Sequence, residues 1–158
     1  MNRQIIEDYA AGATLPARAI AGLTKDDLNA HPVPGTWSIQ EIVLHLMDSD
    51  LIGSDRMKRV AAEERPLIIG YNETLFTKHL GYDKLDPRLA CEVFEKNRAM
   101  TAAMLRNLPE AVFARTGVHN EKGLVTLEGL VKGYADHLSH HLKFLYEKRK
   151  LLGKPLAG

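Results

Sequence analysis

The sequence predicts an all-α chain folded as a four-helix bundle. Three observations predict it. Four long stretches repeat their apolar residues at helical spacing. Their ends carry capping residues, glycines and prolines in the positions where helices start and stop. No segment alternates apolar and polar residues convincingly enough to be read as a strand.

The first helical segment begins near Arg3 and ends near Leu23. Gly12-Ala13-Thr14-Leu15-Pro16 interrupts it, because proline is tolerated in a first turn but breaks a helix interior, so the chain kinks or restarts there. Thr24-Lys25-Asp26-Asp27 reads as an N-cap with acids in the first turn and opens a short helical turn. His31-Pro32-Val33-Pro34-Gly35 is too rich in proline and glycine to be helix. The second long segment opens at Ser38-Ile39-Gln40-Glu41, a capping box in which the hydroxyl and the carboxylate satisfy each other's orphan backbone N–H groups. It runs to about Glu64, where Pro66 stops it. Between Leu67 and Lys84 the pattern is least legible, with Gly70 and Gly81 flanking a possible short helix. The third segment has Asp86 as N-cap and Pro87 in the first helical position, and continues to about Asn107. The stretch from Thr116 to Gly123 reads as a loop. The fourth segment is capped by Thr126 and ends before Gly153 and Pro155. Four long helices with short connections make a bundle, here as a single domain over residues 1–158.

Composition narrows the function classes. A chain of 158 residues and 17.6 kDa buries enough apolar surface to fold without a disulfide or a structural metal. The 21 Lys and Arg residues balance 20 Asp and Glu, a net charge of +1, which offers no basic footprint for nucleic acid or an anionic membrane. The single cysteine, Cys91, excludes an internal disulfide and reads as a small core hydrophobe in a reducing, cytoplasmic setting. The N-terminus gathers acids before any apolar run develops, unlike a secretory signal, and no run is long enough to span a membrane.

The histidines carry the chemistry. Three of the 7 fall within five residues, at His137, His140 and His141. At about 100° per residue, with His137 at zero, the apolar stripe of the fourth segment centres at roughly 80–90°. His141 then lies near 40°, inside the stripe, with His137 at its edge and His140 outside it, near −60°. Two imidazoles at i and i+4 project together from consecutive turns and can share one metal ion, given a third ligand from another helix. On the second segment His45 again sits at the border of the apolar stripe and meets that requirement. No His-Glu-x-x-His motif is present, which removes the common zinc-protease pattern. His31, His79 and His119 read as surface residues.

Two motifs extend this reading. The run from Gly35-Thr36-Trp37-Ser38 through Glu41 and His45 to Asp48 resembles the W-S-x-x-E-x-x-x-H-x-x-D signature of the DinB-like superfamily of four-helix bundles. Tyr134-Ala135-Asp136-His137-Leu138-Ser139-His140-His141 resembles its last-helix Y-A-x-H-x-x-H-H motif, and the likeness includes Gly117-Val118-His119-Asn120-Glu121. That superfamily includes YfiT-type metal-dependent hydrolases and the bacillithiol and mycothiol S-transferases. The resemblance implies one divalent metal ion, commonly nickel or zinc, held by His45, His137 and His141, and a homodimer. Asp136 stands where relatives often carry an aromatic residue.

Other polar residues have expected roles. Asp48, one turn beyond His45, is placed to accept that histidine's free N–H, or else is solvated. Asp50 falls near 140° on its helix, inside the apolar stripe, and as a buried carboxylate requires a partner: Arg3, Arg18 or a histidine. Trp37 reads as a staple packing the entry of the second helix, with a substrate wall as the other reading. Asp48, Tyr71, His119 and Glu121 are candidates for a further polar group facing the metal. An open three-histidine site can activate a water or equally hold a thiol as its thiolate, and beside the resemblance the first expectation is a thiol S-transferase acting on a small molecule with a low-molecular-weight thiol. The alternatives are a hydrolase that activates water and a non-catalytic, stress-associated metal-binding dimer.

Overall fold

The computed structural model describes residues 3–156, and the four-helix bundle is there. Its helices are α1 (Gln4–Ala11), α2 (Leu15–Ala19), α3 (Lys25–Asn29), α4 (Ile39–Ala62), α5 (Glu73–His79), α6 (Pro87–Asn107) and α7 (Leu127–Leu151). The broken helix α1–α2, with α4, α6 and α7, forms the four legs. α4 packs against both α6 and α7, and α1 packs against the other side of the same two helices. Among the described residues no helix is long and apolar enough to cross a membrane.

The expected punctuation operates locally. Ser38 and Glu41 form the reciprocal capping box that starts α4, and Thr24 and Asp27 form a second at α3. Asp86 accepts from the Arg88 N–H ahead of α6, and Thr126 accepts from the Gly129 N–H at the start of α7. The first leg restarts at Leu15 and its helix ends at Ala19. Gly12 lies at the break because the chain passes close to α7 there: a Cβ on Gly12 would fall 2.4 Å from Leu138 Cδ2 and 2.9 Å from Arg98 Nη1.

Three short strands correct the expectation of a strand-free chain: β1 (Leu67–Ile68), β2 (Thr116–His119) and β3 (Gly123–Thr126). β1 runs parallel to β2, and β2 pairs antiparallel with β3, with His119 opposite Gly123. Strands of two to four residues are too short to show a period of two, and glycines interrupt the pattern at Gly117 and Gly123. The stretch read as a loop is therefore a hairpin. Gly123 takes its left-handed position, at φ +73°. A short helix, α5, does lie between Gly70 and Gly81, capped by Asn72, whose side chain accepts from the Leu75 N–H.

The core falls into two apolar clusters. One gathers Ile39, Ile42, Leu46, Phe94 and Leu142; the other gathers Ile6, Tyr9, Met57, Phe113 and Val131. Arg98 bridges them: its guanidinium lies 4.3 Å from the ring centre of Tyr9 and 4.5 Å from that of Phe94, one ring from each cluster. Cys91 is a buried free thiol, and burial pushes its pKa up to about 12, so it behaves as the core hydrophobe expected.

Candidate metal centre

α4 supplies one imidazole and α7 two, because both helices turn their stripe edges toward each other. One ring nitrogen from each of His45, His137 and His141 lies within 4.8 Å of the others. His45 Nε2 and His137 Nε2 are 3.1 Å apart, and the ring centres are separated by 5.1 Å (His45–His137), 4.6 Å (His45–His141) and 4.5 Å (His137–His141). His140 is exposed beside Phe144, outside the cluster, as its angle on the helix required. Burial pushes the pKa of His45 and His137 down to about 3 and that of His141 down to about 4, with repulsion from neighbouring imidazoles adding to it. The cluster is therefore neutral at pH 7, the state in which imidazole nitrogen binds a metal. Three convergent neutral nitrogens, drawn from two helices and met by two cavities, fit a divalent ion of borderline softness.

Trp37 does more than staple the helix entry. Its ring stacks near-parallel to His141 at 6.0 Å and leans on His45 at 4.8 Å, while part of it packs on the core. Two cavities meet the imidazoles. A cleft of about 1090 Å³ reaches His137 and is walled by polar groups including Arg56, Tyr71, Glu73 and Lys122. A smaller groove of about 480 Å³ reaches His141 and Trp37 and is walled mainly by Val33, Ile42, Phe144 and Leu151.

The other sequence-level candidates divide. Tyr71, His119 and Glu121 do line the polar cleft. His119 is buried, at 5% exposure, and so is not the surface residue expected; the hairpin folds it inward. Asp48 does not serve His45. It lies about 60° round the helix on the other flank, where it accepts a hydrogen bond from the Tyr82 hydroxyl. Asp50 is fully buried as its angle implied, but its partner is none of those considered. Arg98 Nε donates to Asp50 Oδ1 at 2.9 Å, Asn97 Nδ2 to Oδ2 at 2.8 Å and Tyr9 OH to Oδ2 at 3.1 Å. Arg3 instead donates to the carbonyls of Arg106 and Leu108 at the end of α6. Asp136 faces solvent and pairs with Lys132 at 2.5 Å, so it takes no part in lining the cleft.

Two residues at the site escape sequence reasoning. Glu73, the first residue of α5, brings Oε2 to 3.9 Å from His45 Nε2 while remaining half-exposed. No local signal marks it, since the position of α5 depends on chain segments distant in sequence. Arg56 lines the cleft from α4, and here a signal exists: eleven residues at about 100° each put it near 20° from His45, on the same line of the helix. Close packing supports this wall. A Cβ on Gly53 would fall 2.5 Å from the Tyr134 ring, so the glycine lets that ring lie against α4.

Comparison with known proteins gives a consistent picture. Residues 10–145 match the family model of the DinB superfamily. A Bacillus subtilis protein, YfiT, is 26% identical over 151 residues, covering 95% of this chain and 83% of its own. Its solved structure, described as that of "a probable metal-dependent hydrolase with an unusual four-helix bundle topology", superposes with a TM-score of 0.84 over 96% of this chain and 85% of that one. A Halalkalibacterium halodurans protein given the same provisional name, metal-dependent hydrolase, is 27% identical over 85% of this chain and 80% of its own. The mycothiol-dependent maleylpyruvate isomerase shares the fold, with a TM-score of 0.70 at 14% identity, covering 90% of this chain and 59% of that one.

Proposed function

The chain belongs to the DinB superfamily, and from that premise we propose that it is a metal-dependent enzyme of the thiol S-transferase type acting on a small molecule. The observation that carries this reading is the pair of cavities that meet the histidine cluster, one at His137 with charged groups on a mixed wall and one at His141 that is mainly apolar. Transfer between two small molecules requires a place for each, whereas hydrolysis requires one place and water. His45, His137 and His141 would hold one divalent ion, nickel or zinc as the sequence resemblance implies. When bound, such an ion supplies Lewis acidity that lowers the pKa of a thiol or a water. Glu73 Oε2, at the rim of the cluster, takes up the proton that the nucleophile gives away. Trp37 covers the cluster on the apolar side and limits the approach of water there.

A second reading, a metal-dependent hydrolase, is favoured by the names of the relatives, and in it Glu73 takes its proton from water. The two separate by experiment. Protein loaded with nickel or zinc is offered glutathione, cysteine and bacillithiol with monobromobimane, and separately a panel of activated esters. Metal-dependent conjugation that falls at least about tenfold in Glu73→Gln supports the transferase. Ester hydrolysis without conjugation supports the hydrolase, and neither activity supports a binding role alone.

We also propose a homodimer. An apolar row of registered neighbours, Leu67, Val118 and Leu124, crosses the outer face of the small sheet at 61%, 36% and 62% exposure, and supports association through that face. Light scattering at micromolar concentration is expected to give twice the chain mass; a monomer mass overturns it.

A further inference from the structure

The polar cleft holds a guanidinium without a counter-ion. Arg56 is half-buried on its wall, yet no described carboxylate lies within ion-pairing distance of it. Arg18, Arg65 and Arg88 are exposed to water, and the remaining arginines have partners. Arg59 pairs with Asp55, Arg98 with Asp50 and Arg106 with Glu7, while Arg115 and Arg149 spend their forks on backbone carbonyls. Arg56 donates Nη1 to the Tyr134 hydroxyl at 2.9 Å and Nη2 to the Ile69 carbonyl at 2.6 Å, and its Nε is buried with no acceptor. Of five N–H donors, three are left over. Beyond these bonds and the Tyr71 ring, whose centre lies 6.0 Å away, the half-buried cation has no anion to balance it, and an anionic group entering the cleft would meet its remaining charge.

Its place in the cleft says what visits. Tyr134 holds the guanidinium through its hydroxyl, and its ring lies edge-on to His137 at 6.3 Å between centres. The same cavity therefore presents Arg56 and His137 to one small molecule, separated by about the length of a tyrosine side chain. Glu73 and Glu121 share the wall, with Lys122 as a second cation. Glu121 is turned onto Gly70, where a Cβ would meet its carboxylate at 2.6 Å. The planar fork of arginine matches a carboxylate bidentately, which a lysine ammonium does not.

We propose that Arg56 binds the carboxylate of the thiol substrate, so that the polar cleft takes an acidic low-molecular-weight thiol with its sulfur toward the imidazole cluster. This deepens the S-transferase reading and rests on it.

The test compares β-mercaptopropionate with its methyl ester, and adds succinate as a carboxylate without sulfur. Cobalt(II)-loaded protein is titrated with each, following heat and the thiolate-to-cobalt absorption band. The acid is expected to bind about 10- to 100-fold more tightly than the ester, as befits one charge-assisted hydrogen-bonded pair. Arg56→Gln should erase that preference while cobalt content and melting temperature stay at the parent values, and Arg56→Lys should restore only part of it. Equal binding of acid and ester by the parent, or a preference that survives in Arg56→Gln, overturns the proposal. A different failure is readable too. If neither thiol produces the absorption band but succinate binds in an Arg56-dependent way, the anion site stands and the thiol assignment falls.

Discussion

His141→Ala is expected to abolish metal binding, while His140→Ala leaves it within about twofold of the parent. Both variants replace one histidine by alanine, so composition changes identically in the two. Only direction on the helix separates them: His141 points into the cluster with His45 and His137, and His140 points to solvent beside Phe144. Loss of one nitrogen from a three-histidine set leaves two, too few to hold a borderline ion against water. Removing even a residue that merely supports a metal ligand typically lowers affinity 10–100-fold, so losing a ligand should lower it by more than about 100-fold. Trp37 is the chain's single tryptophan and stacks on His141, so quenching of its fluorescence by nickel or copper reports occupancy directly. Metal analysis after dialysis gives the second readout. Metal-free His141→Ala should melt near the parent temperature, because the two apolar clusters do not depend on an ion. If His140→Ala loses the ion and His141→Ala retains it, the assignment of the centre is wrong.

What could be read in the sequence was whatever depends on local spacing. Ser38 with Glu41, Asp86 with Pro87 and Thr126 mark helix starts within a few residues, and the i,i+4 placement of His137 and His141 follows from the pitch of a single helix. The pairing of those two with His45 needed only that each sit inside or at the edge of an apolar stripe. What could not be read depends on where remote segments meet. Glu73 reaches His45 because α5 sits between β1 and the turn at Tyr82–Lys84, a placement set by strands too short to carry their own pattern. His119 looked exposed because its neighbours Gly117 and Asn120 suggest a loop, yet pairing of β2 between β1 and β3 turns it inward. Arg56 is the intermediate case: its angle on α4 was available, but that its guanidinium has no carboxylate counter-ion emerges only from the packed structure.

Asp50→Ala is expected to destabilise the protein by about 3–5 kcal/mol, the cost of leaving a buried charge without its partner. For a domain of this size that lowers the melting temperature by roughly 10 °C. The site explains the magnitude. Asp50 and Arg98 are exposed by only 2% and 1%, so water cannot replace either partner. Removing the carboxylate strands the Arg98 guanidinium between the Tyr9 and Phe94 rings and leaves the Tyr9 hydroxyl and the Asn97 amide short of an acceptor. Arg98 also donates to the carbonyls of Tyr9 on α1 and Tyr134 on α7, at 3.0 and 2.8 Å, so one side chain of α6 ties three legs of the bundle together. Arg98→Met should cost a similar amount for the reciprocal reason. The double variant Asp50→Ala, Arg98→Met removes both charges and should cost clearly less than the sum of the two single changes, because no buried charge is left without a partner. That shortfall distinguishes a charge effect from simple loss of packing, in which the two changes would add. Tyr134 lies one helical turn before His137, so metal affinity followed through Trp37 should fall in Arg98→Met by less than in His141→Ala. A melting temperature for Asp50→Ala within about 2 °C of the parent would show that the pair does not hold the legs together.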